Sequence, residues 1–330
     1  MTGKFMKGNM KNMRRGHYTL AYLLAALVMM FVSYSLPRWL PGDFVTAMYS
    51  SSHVTLNAEQ EEGLRAFYTQ RQGFGQYLVD FFSLKWGYSY AFLTPISKLI
   101  SEALPWSLLL LGTAHLLSMA FGFLAGVEAA WRRGGVIEKA GVGSMTILEG
   151  VPEIGSGVIL LLLFALHLGW FPAAGGETAY VTHPASQRIM DMGRHLVLPF
   201  ATLFLAYLPG NFLLTRGSMV MVLKEQFIET ARAKGLPPLR IRYAHAARNA
   251  LLPMVTRFGF RIAFMLTGAL VVETIYAYPG LGTLLFSAIA MRDLPLIQGI
   301  VLFSSLLVLF VNLALDFLYS WIDPRVTYAS

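Results

Sequence analysis

The 330-residue chain contains no cysteine, which excludes disulfides and thiolate metal sites. Charge is scarce too: Asp, Glu, Lys and Arg make up 13% of residues, against 55% hydrophobic ones. No G-x-x-x-x-G-K-[ST] phosphate loop occurs, so nucleotide hydrolysis by that route is excluded. The seven histidines include no pair at i,i+4 spacing, so no metal site is indicated. Low-complexity runs and internal repeats are missing as well.

What is present is apolar. A mean hydropathy of +0.55 over this length is more than a soluble domain hides, and it indicates an all-α polytopic membrane protein. About 20 mostly apolar residues are needed to cross about 30 Å of hydrocarbon. Six stretches qualify: 17–36, 104–127, 141–168, 195–216, 253–277 and 299–321. Lys4, Lys7, Lys11, Arg14 and Arg15 precede the first, as in a signal peptide. Yet Tyr18 to Leu36 exceeds a signal core of about 7–15 residues, and Ser35-Leu36-Pro37-Arg38 is no small-x-small cleavage site. It reads as a retained anchor.

Lys and Arg set the orientation. The N-terminal tail has five, the 128–140 loop three and the 216–252 loop seven, against two in 169–194 and one in 278–298; the five in 37–103 count little because long translocated segments are insensitive to charge. Both termini and the 216–252 loop are therefore expected in the cytoplasm. The net charge of +8 is a topology signal and no sign of nucleic-acid binding. The expected organisation is a basic tail (1–16), a first span (17–36), an external segment (37–103), a membrane core (104–321) and a short cytoplasmic tail (322–330). In the external segment, helices are expected around 58–69 and 74–86. In the last external loop, Pro279-Gly280-Leu281-Gly282 makes a turn before a short helix.

The polar loop between the fourth and fifth spans is the most informative segment. Met219–Lys234 has good helix formers and can continue out of the fourth span. Gly235 suits a helix C-cap, and Pro237-Pro238 bars continuation. A second helix fits Leu239–Asn249, with Arg240, Arg242 and Arg248 exposed and Ile241, Tyr243 and Ala247 packing. A helix–turn–helix elbow projecting from the membrane is expected over 218–252.

The wording of this loop adds a family. Glu229-x-Ala231-x3-Gly235 resembles the EAA signature of ATP-binding-cassette (ABC) importer permeases. His245-Ala246-Ala247-Arg248-Asn249-Ala250-Leu251-Leu252-Pro253 is similar to the form used by dipeptide, oligopeptide and nickel permeases. Pro41-Gly42-Asp43, Leu104-Pro105, Gly150-Val151-Pro152, His195-Leu196-x2-Pro199, Val272-Glu273-Thr274, Arg292-Asp293-x-Pro295 and Asp323-Pro324-Arg325 recur in family order. The resemblance implies the type I importer permease fold, in a prokaryotic plasma membrane. It implies a second homologous permease, one or two cytoplasmic ABC ATPases and an extracytoplasmic solute-binding protein. ATP and Mg would sit on the ATPases, with no cofactor on this chain. The elbow would seat in an ATPase cleft through Glu229, Ala231, Gly235, His245, Arg248 and Asn249. Peptides or peptide-like solutes are the implied cargo, with nickel or a metal chelate as the alternative. A stand-alone ion-coupled carrier leaves the elbow unexplained.

Ionisable residues inside spans are costly and usually paired or functional. Glu149 and Glu153 in the third span, and Arg257 and Arg261 in the fifth, are each spaced i,i+4 and so are expected on one helical face. Counting 1.5 Å per residue from the cytoplasm, Glu149 and Arg261 lie about 12 Å deep and can meet. They either form an interhelical ion pair or line the solute path. Glu273 and Asp316, near opposite ends of the last two spans, read as gating or packing residues.

Overall fold

The structure is a computed structural model that describes residues 19–35, 73–89, 91–181, 184–263 and 270–322. Side chains are described as far as 258 in the fourth of these stretches and 314 in the last. The expected helix around 58–69 lies outside the described residues. Among them there is no strand, only an isolated bridge between Tyr88 and Pro95.

The helices follow the apolar runs. α1 spans Thr19–Ser35, α2 Phe74–Phe82 and α3 Ile96–Trp131. α4, Val136–Glu149, is followed by α5, Glu153–His167, whose last seven residues are in π form. α6 spans Ala185–Val222 and α7 Gln226–Ala233. α8 begins at Pro238–Arg240, passes through a π segment at Ile241–Ala247 and continues as Arg248–Ala263. α9 (Leu270–Ile275), α10 (Leu281–Ala290) and α11 (Leu294–Ile322) complete the order. Among the described residues three helices, α3, α6 and α11, are long and apolar enough to cross a membrane, and α4 with α5 makes a fourth if the bent pair counts as one span.

Two expectations are corrected. The third span is not one rod: α4 and α5 meet at 94° across Gly150-Val151-Pro152. Pro152 has no amide hydrogen and biases Val151 away from helical geometry, and it sits extended at ψ 144 as the N-cap of α5. Glu149 and Glu153 therefore end one helix and begin the next, and do not share a helical face. Likewise the fourth span does not run on to Lys234, because the chain turns at Leu223–Glu225 before α7.

The chain divides into two compact units, 103–284 and the remainder. In the larger, Leu110, Leu111, Ala114, Leu198, Leu203, Tyr207, Val272, Tyr276 and Tyr278 form a buried cluster. Within it the Tyr276 hydroxyl is matched, lying 2.9 Å from Thr202 Oγ1 and donating to the Gly157 carbonyl at 2.9 Å, whereas the buried Tyr278 hydroxyl has no hydrogen-bond partner among the described residues. His115 lies flat on Tyr207, ring centroids 4.3 Å apart.

α3 and α6 approach closely because Gly122 and Gly126 face α6 one turn apart. A Cβ on Gly122 would lie 2.7 Å from Asn211 Cβ, and one on Gly126 2.8 Å from the Phe212 carbonyl oxygen. Small residues at this spacing let backbones meet where lipid supplies no hydrophobic drive. Asn211 Nδ2 donates to Ser118 Oγ across the seam at 3.2 Å. In the other unit, the α2 aromatics Phe74 and Tyr77 pack on Tyr34 of α1, and the Gln298 amide of α11 donates to the Ser33 carbonyl.

Candidate functional site

The basic loop after α6 folds on itself around Gly235. α7 ends because Gly235 takes the left-handed conformation, φ +70, where a Cβ is penalised. Gly235 N–H donates to the Arg232 carbonyl at 2.9 Å and Leu236 N–H to the Ala231 carbonyl at 3.3 Å. These two bonds make the Schellman closure, whose accompanying hydrophobic contact is supplied by Leu236 and Ala231 in one cluster. Pro237 and Pro238 then suit the start of α8, where a missing amide hydrogen costs nothing.

One face of this loop is apolar and covered. Ile228, Ala231, Ile241, Ala246, Ala247 and Ala250 are buried with Val127 and Ala130 of α3 and Met219 of α6. The opposite face is open: Glu229, Arg248 and Asn249 are exposed, His245 is half-buried, and Phe227 and Leu239 are 42% and 66% exposed. Asn249 Nδ2 donates to the His245 carbonyl at 2.9 Å, closing the turn between them. Of the six residues singled out here by sequence, Ala231 and Gly235 build the fold of the loop, while Glu229, Arg248 and Asn249 face outward.

Sequence reasoning missed the polar side of this junction. Arg242, expected to be exposed, is only 14% so, and its Nη1 donates to Glu128 Oε1 at 2.6 Å. Its guanidinium sits 4.7 Å from the Trp131 ring centroid. Tyr243, expected to pack, is 38% exposed and donates its hydroxyl to the same Glu128 oxygen at 2.7 Å. That bond holds the Tyr243 phenol above its ordinary range, since ionising it would set two anions together. Alongside, Glu138 accepts from Gly134 N–H at 2.8 Å and from Arg216 Nε at 2.9 Å, joining α4 to α6. Arg242 and Glu128 lie 114 residues apart. The only local hint was a lone acid beside the Arg132-Arg133 pair.

The intramembrane charges converge in part. Arg257 Nη1 donates to the Gly210 carbonyl at 2.9 Å. A Cβ on Gly210 would lie 2.9 Å from Arg257 Cζ and 3.1 Å from Glu149 Oε1. Glycine at this point of α6 thus leaves room for a cation of α8 and an anion of α4 to reach the same spot. Glu153, the first residue of α5, is half-buried. Arg261 lies on α8 and Asp316 on α11, both with side chains outside the described residues.

Glu273 is fully buried. Its carboxylate accepts from Ser107 Oγ at 2.6 Å, Gly282 N–H at 2.7 Å and Thr283 N–H at 3.3 Å. Ser107 Oγ in turn accepts from Leu281 N–H at 2.8 Å. The pair caps the N-terminus of α10, where unpaired amides and the helix dipole favour an anion. Glu273 thereby ties α9, the Pro279–Gly282 turn and α3 together.

Residues 118–328 match the family described as the inner membrane component of binding-protein-dependent transport systems. The di/tripeptide transport system permease protein DppB of Pseudomonas aeruginosa is 35% identical over 317 residues, covering 90% of this chain and 93% of the relative. The oligopeptide transport system permease protein AppB of Bacillus subtilis is 33% identical over 96% of this chain and 98% of its own length. The glutathione transport system permease protein GsiC of Salmonella choleraesuis is 32% identical over 93% of this chain and 94% of its own.

Proposed function

The chain belongs to the family of inner membrane components of binding-protein-dependent transport systems, and from that premise we propose that it admits peptides. It is a multi-pass ABC importer permease and not itself an enzyme. The observation that carries the cargo is the agreement of relatives matched along nearly their whole length: their names specify di- and tripeptides, oligopeptides and glutathione. Nickel or metal-chelate uptake is favoured by none of them.

In this reading six spans cross the membrane, both termini are cytoplasmic, and the core of 104–321 pairs with a second, related permease. The 218–252 loop is the elbow that seats in an ATPase cleft, offering Phe227, Glu229, Leu239, Arg248 and Asn249 on its open face. ATP and Mg bind the ATPases, whose closure swings the elbow and with it the spans, a ligand-biased two-state motion. A solute-binding protein delivers peptide on the far side. Glu149, Glu153, Arg257 and Arg261 either pair with one another or line the path, where both signs of charge suit a peptide's two termini.

The test is purification of tagged chain from native membranes, mass spectrometry of what accompanies it, and uptake of labelled trialanine in proteoliposomes. Recovery of Walker-motif ATPases and ATP-dependent trialanine uptake is expected. A chain that purifies alone and transports on an ion gradient without ATP would overturn the reading.

A further inference from the structure

The contact between the polar loop and α3 has two unlike parts. The apolar part sets Ile228, Ile241, Ala231, Ala246, Ala247 and Ala250 of the loop against Val127 and Ala130 of α3 and Met219 of α6. Burial of this kind holds the surfaces together but is non-directional, so by itself it does not fix the direction in which the loop and α3 move as one. The polar part is directional. Arg242 reaches Glu128 at 2.6 Å while its guanidinium covers Trp131, and Tyr243 reaches the same oxygen at 2.7 Å. Glu128 and Trp131 sit on the last turn of α3, and Arg242 and Tyr243 on the π segment of α8. Arg132 lies 3.7 Å from the second Glu128 oxygen. The planar guanidinium is held both in its plane, by the carboxylate, and over its face, by the indole, a geometry lysine does not reproduce.

We propose that Arg242 is the positioning residue that pins the loop to the end of α3, so that displacement of the loop is passed lengthwise into that span. This rests on the reading of the loop as the ATPase-coupling elbow. Within that reading it assigns the transmission to a particular contact, Arg242 with Glu128, Trp131 and Tyr243. Glu128 Oε2 and Arg242 Nε are buried and make no hydrogen bond among the described residues.

The first experiment uses the complete transporter in proteoliposomes and reads trialanine moved per ATP hydrolysed. Arg242→Ala is expected to lower that ratio about tenfold, within the usual span of coupling between sites, with the ATPases still co-purifying. Arg242→Lys should fall between. In the cysteine-free chain, Glu128→Cys with Arg242→Cys should be uncoupled, then restored when a short bis-methanethiosulfonate links the two thiols. A wild-type ratio in Arg242→Ala overturns the proposal. So does a linked double variant that remains uncoupled, including the case where Arg242→Ala fails to assemble.

A second readout is independent of cargo and ATPase. Spin labels at Val136 and Leu239, which are 82% and 66% exposed, report the spacing of loop and helix end in the solubilised full-length chain. A narrow distance distribution that broadens in Arg242→Ala supports the pin, and equal widths remove it. Wild-type chain that carries no ATPases would sink the importer reading while this readout still judges the pin.

Discussion

Gly235 offers a clean perturbation, because its conformation and its surroundings can be separated. It sits at φ +70, and a Cβ built there meets nothing within 4 Å. Substitution therefore acts through backbone strain alone. An L-residue held in the left-handed region costs about 1–2 kcal/mol, more for a β-branched one and less for asparagine, which visits that region routinely. The strain falls on two hydrogen bonds, Gly235 to Arg232 at 2.9 Å and Leu236 to Ala231 at 3.3 Å. A cost of about 1–2 kcal/mol multiplies the open population about 5- to 30-fold. Hydrogen exchange of the Gly235–Leu236 amides, measured by mass spectrometry on detergent-solubilised protein, should accelerate by that factor in Gly235→Val. Gly235→Ala should come next and Gly235→Asn stay nearest to wild type. Coupled transport should fall in the same order while the chain still inserts. Equal protection in all four proteins, or an asparagine variant as exposed as the valine one, would refute the claim that the left-handed turn holds the loop.

Three further outcomes are expected. Glu273→Ala leaves the Ser107 hydroxyl and the Gly282 and Thr283 amides without their charged acceptor. At about 1.5–3 kcal/mol for a hydrogen bond to a charged group, the thermal midpoint in detergent should drop sharply, and Glu273→Gln, keeping one acceptor, should drop less. Gly126→Leu drives a side chain into the Phe212 carbonyl and Thr215, 2.8 Å from its Cβ, whereas Gly143 has nothing within 4 Å. Overpacking of about 1–3 kcal/mol should therefore appear in Gly126→Leu and not in Gly143→Leu, read by thermal aggregation. Outside the spans, Arg188 donates to Glu177 at 2.6 Å and 3.1 Å and holds that carboxyl below its usual range. A depressed folded value means the pairing helps above the unfolded value of about 4.3 and is lost as pH falls through the folded one. A spin label at the exposed Tyr180 should gain mobility on that acidification, and already be mobile at neutral pH in Glu177→Gln.

The fold was legible where one residue type dictates local geometry. Gly235 and the two prolines after it located the turn between α7 and α8, because a left-handed cap and a missing amide leave the chain few choices. The apolar runs located α3, α6 and α11, although their ends lie well beyond the hydrophobic windows, as α6 begins at Ala185 and not near 195. What hydropathy does not register is a change of direction within an apolar run. Pro152 was visible, yet 141–168 read as one rod, so Glu149 and Glu153 were placed on a common face that does not exist. In the site, Glu229, Arg248 and Asn249 were read from wording local to the loop. The Glu128–Arg242 contact joins helices brought together only by packing, and no spacing rule reaches across 114 residues. Gly122, Gly126 and Gly210 were legible in principle as small residues in apolar helices, but which neighbour each admits is a property of the assembled bundle.

The right-angled joint between α4 and α5 has a consequence for what surrounds the chain. A straight helix can stand in oil because each peptide group is answered by one four residues away. At Gly150-Val151-Pro152 the pattern tightens and ends, with Gly150 N–H donating to the Ile147 carbonyl at 3.2 Å and Val151 N–H to the Leu148 carbonyl at 3.1 Å. All three residues are exposed in the single chain, and the 94° turn aims the two helix ends in different directions. Acyl chains are a poor neighbour for such a corner. On the proposed reading as a paired importer permease, such a corner belongs on the flank that faces water or the second permease, with Glu149 and Glu153 beside it.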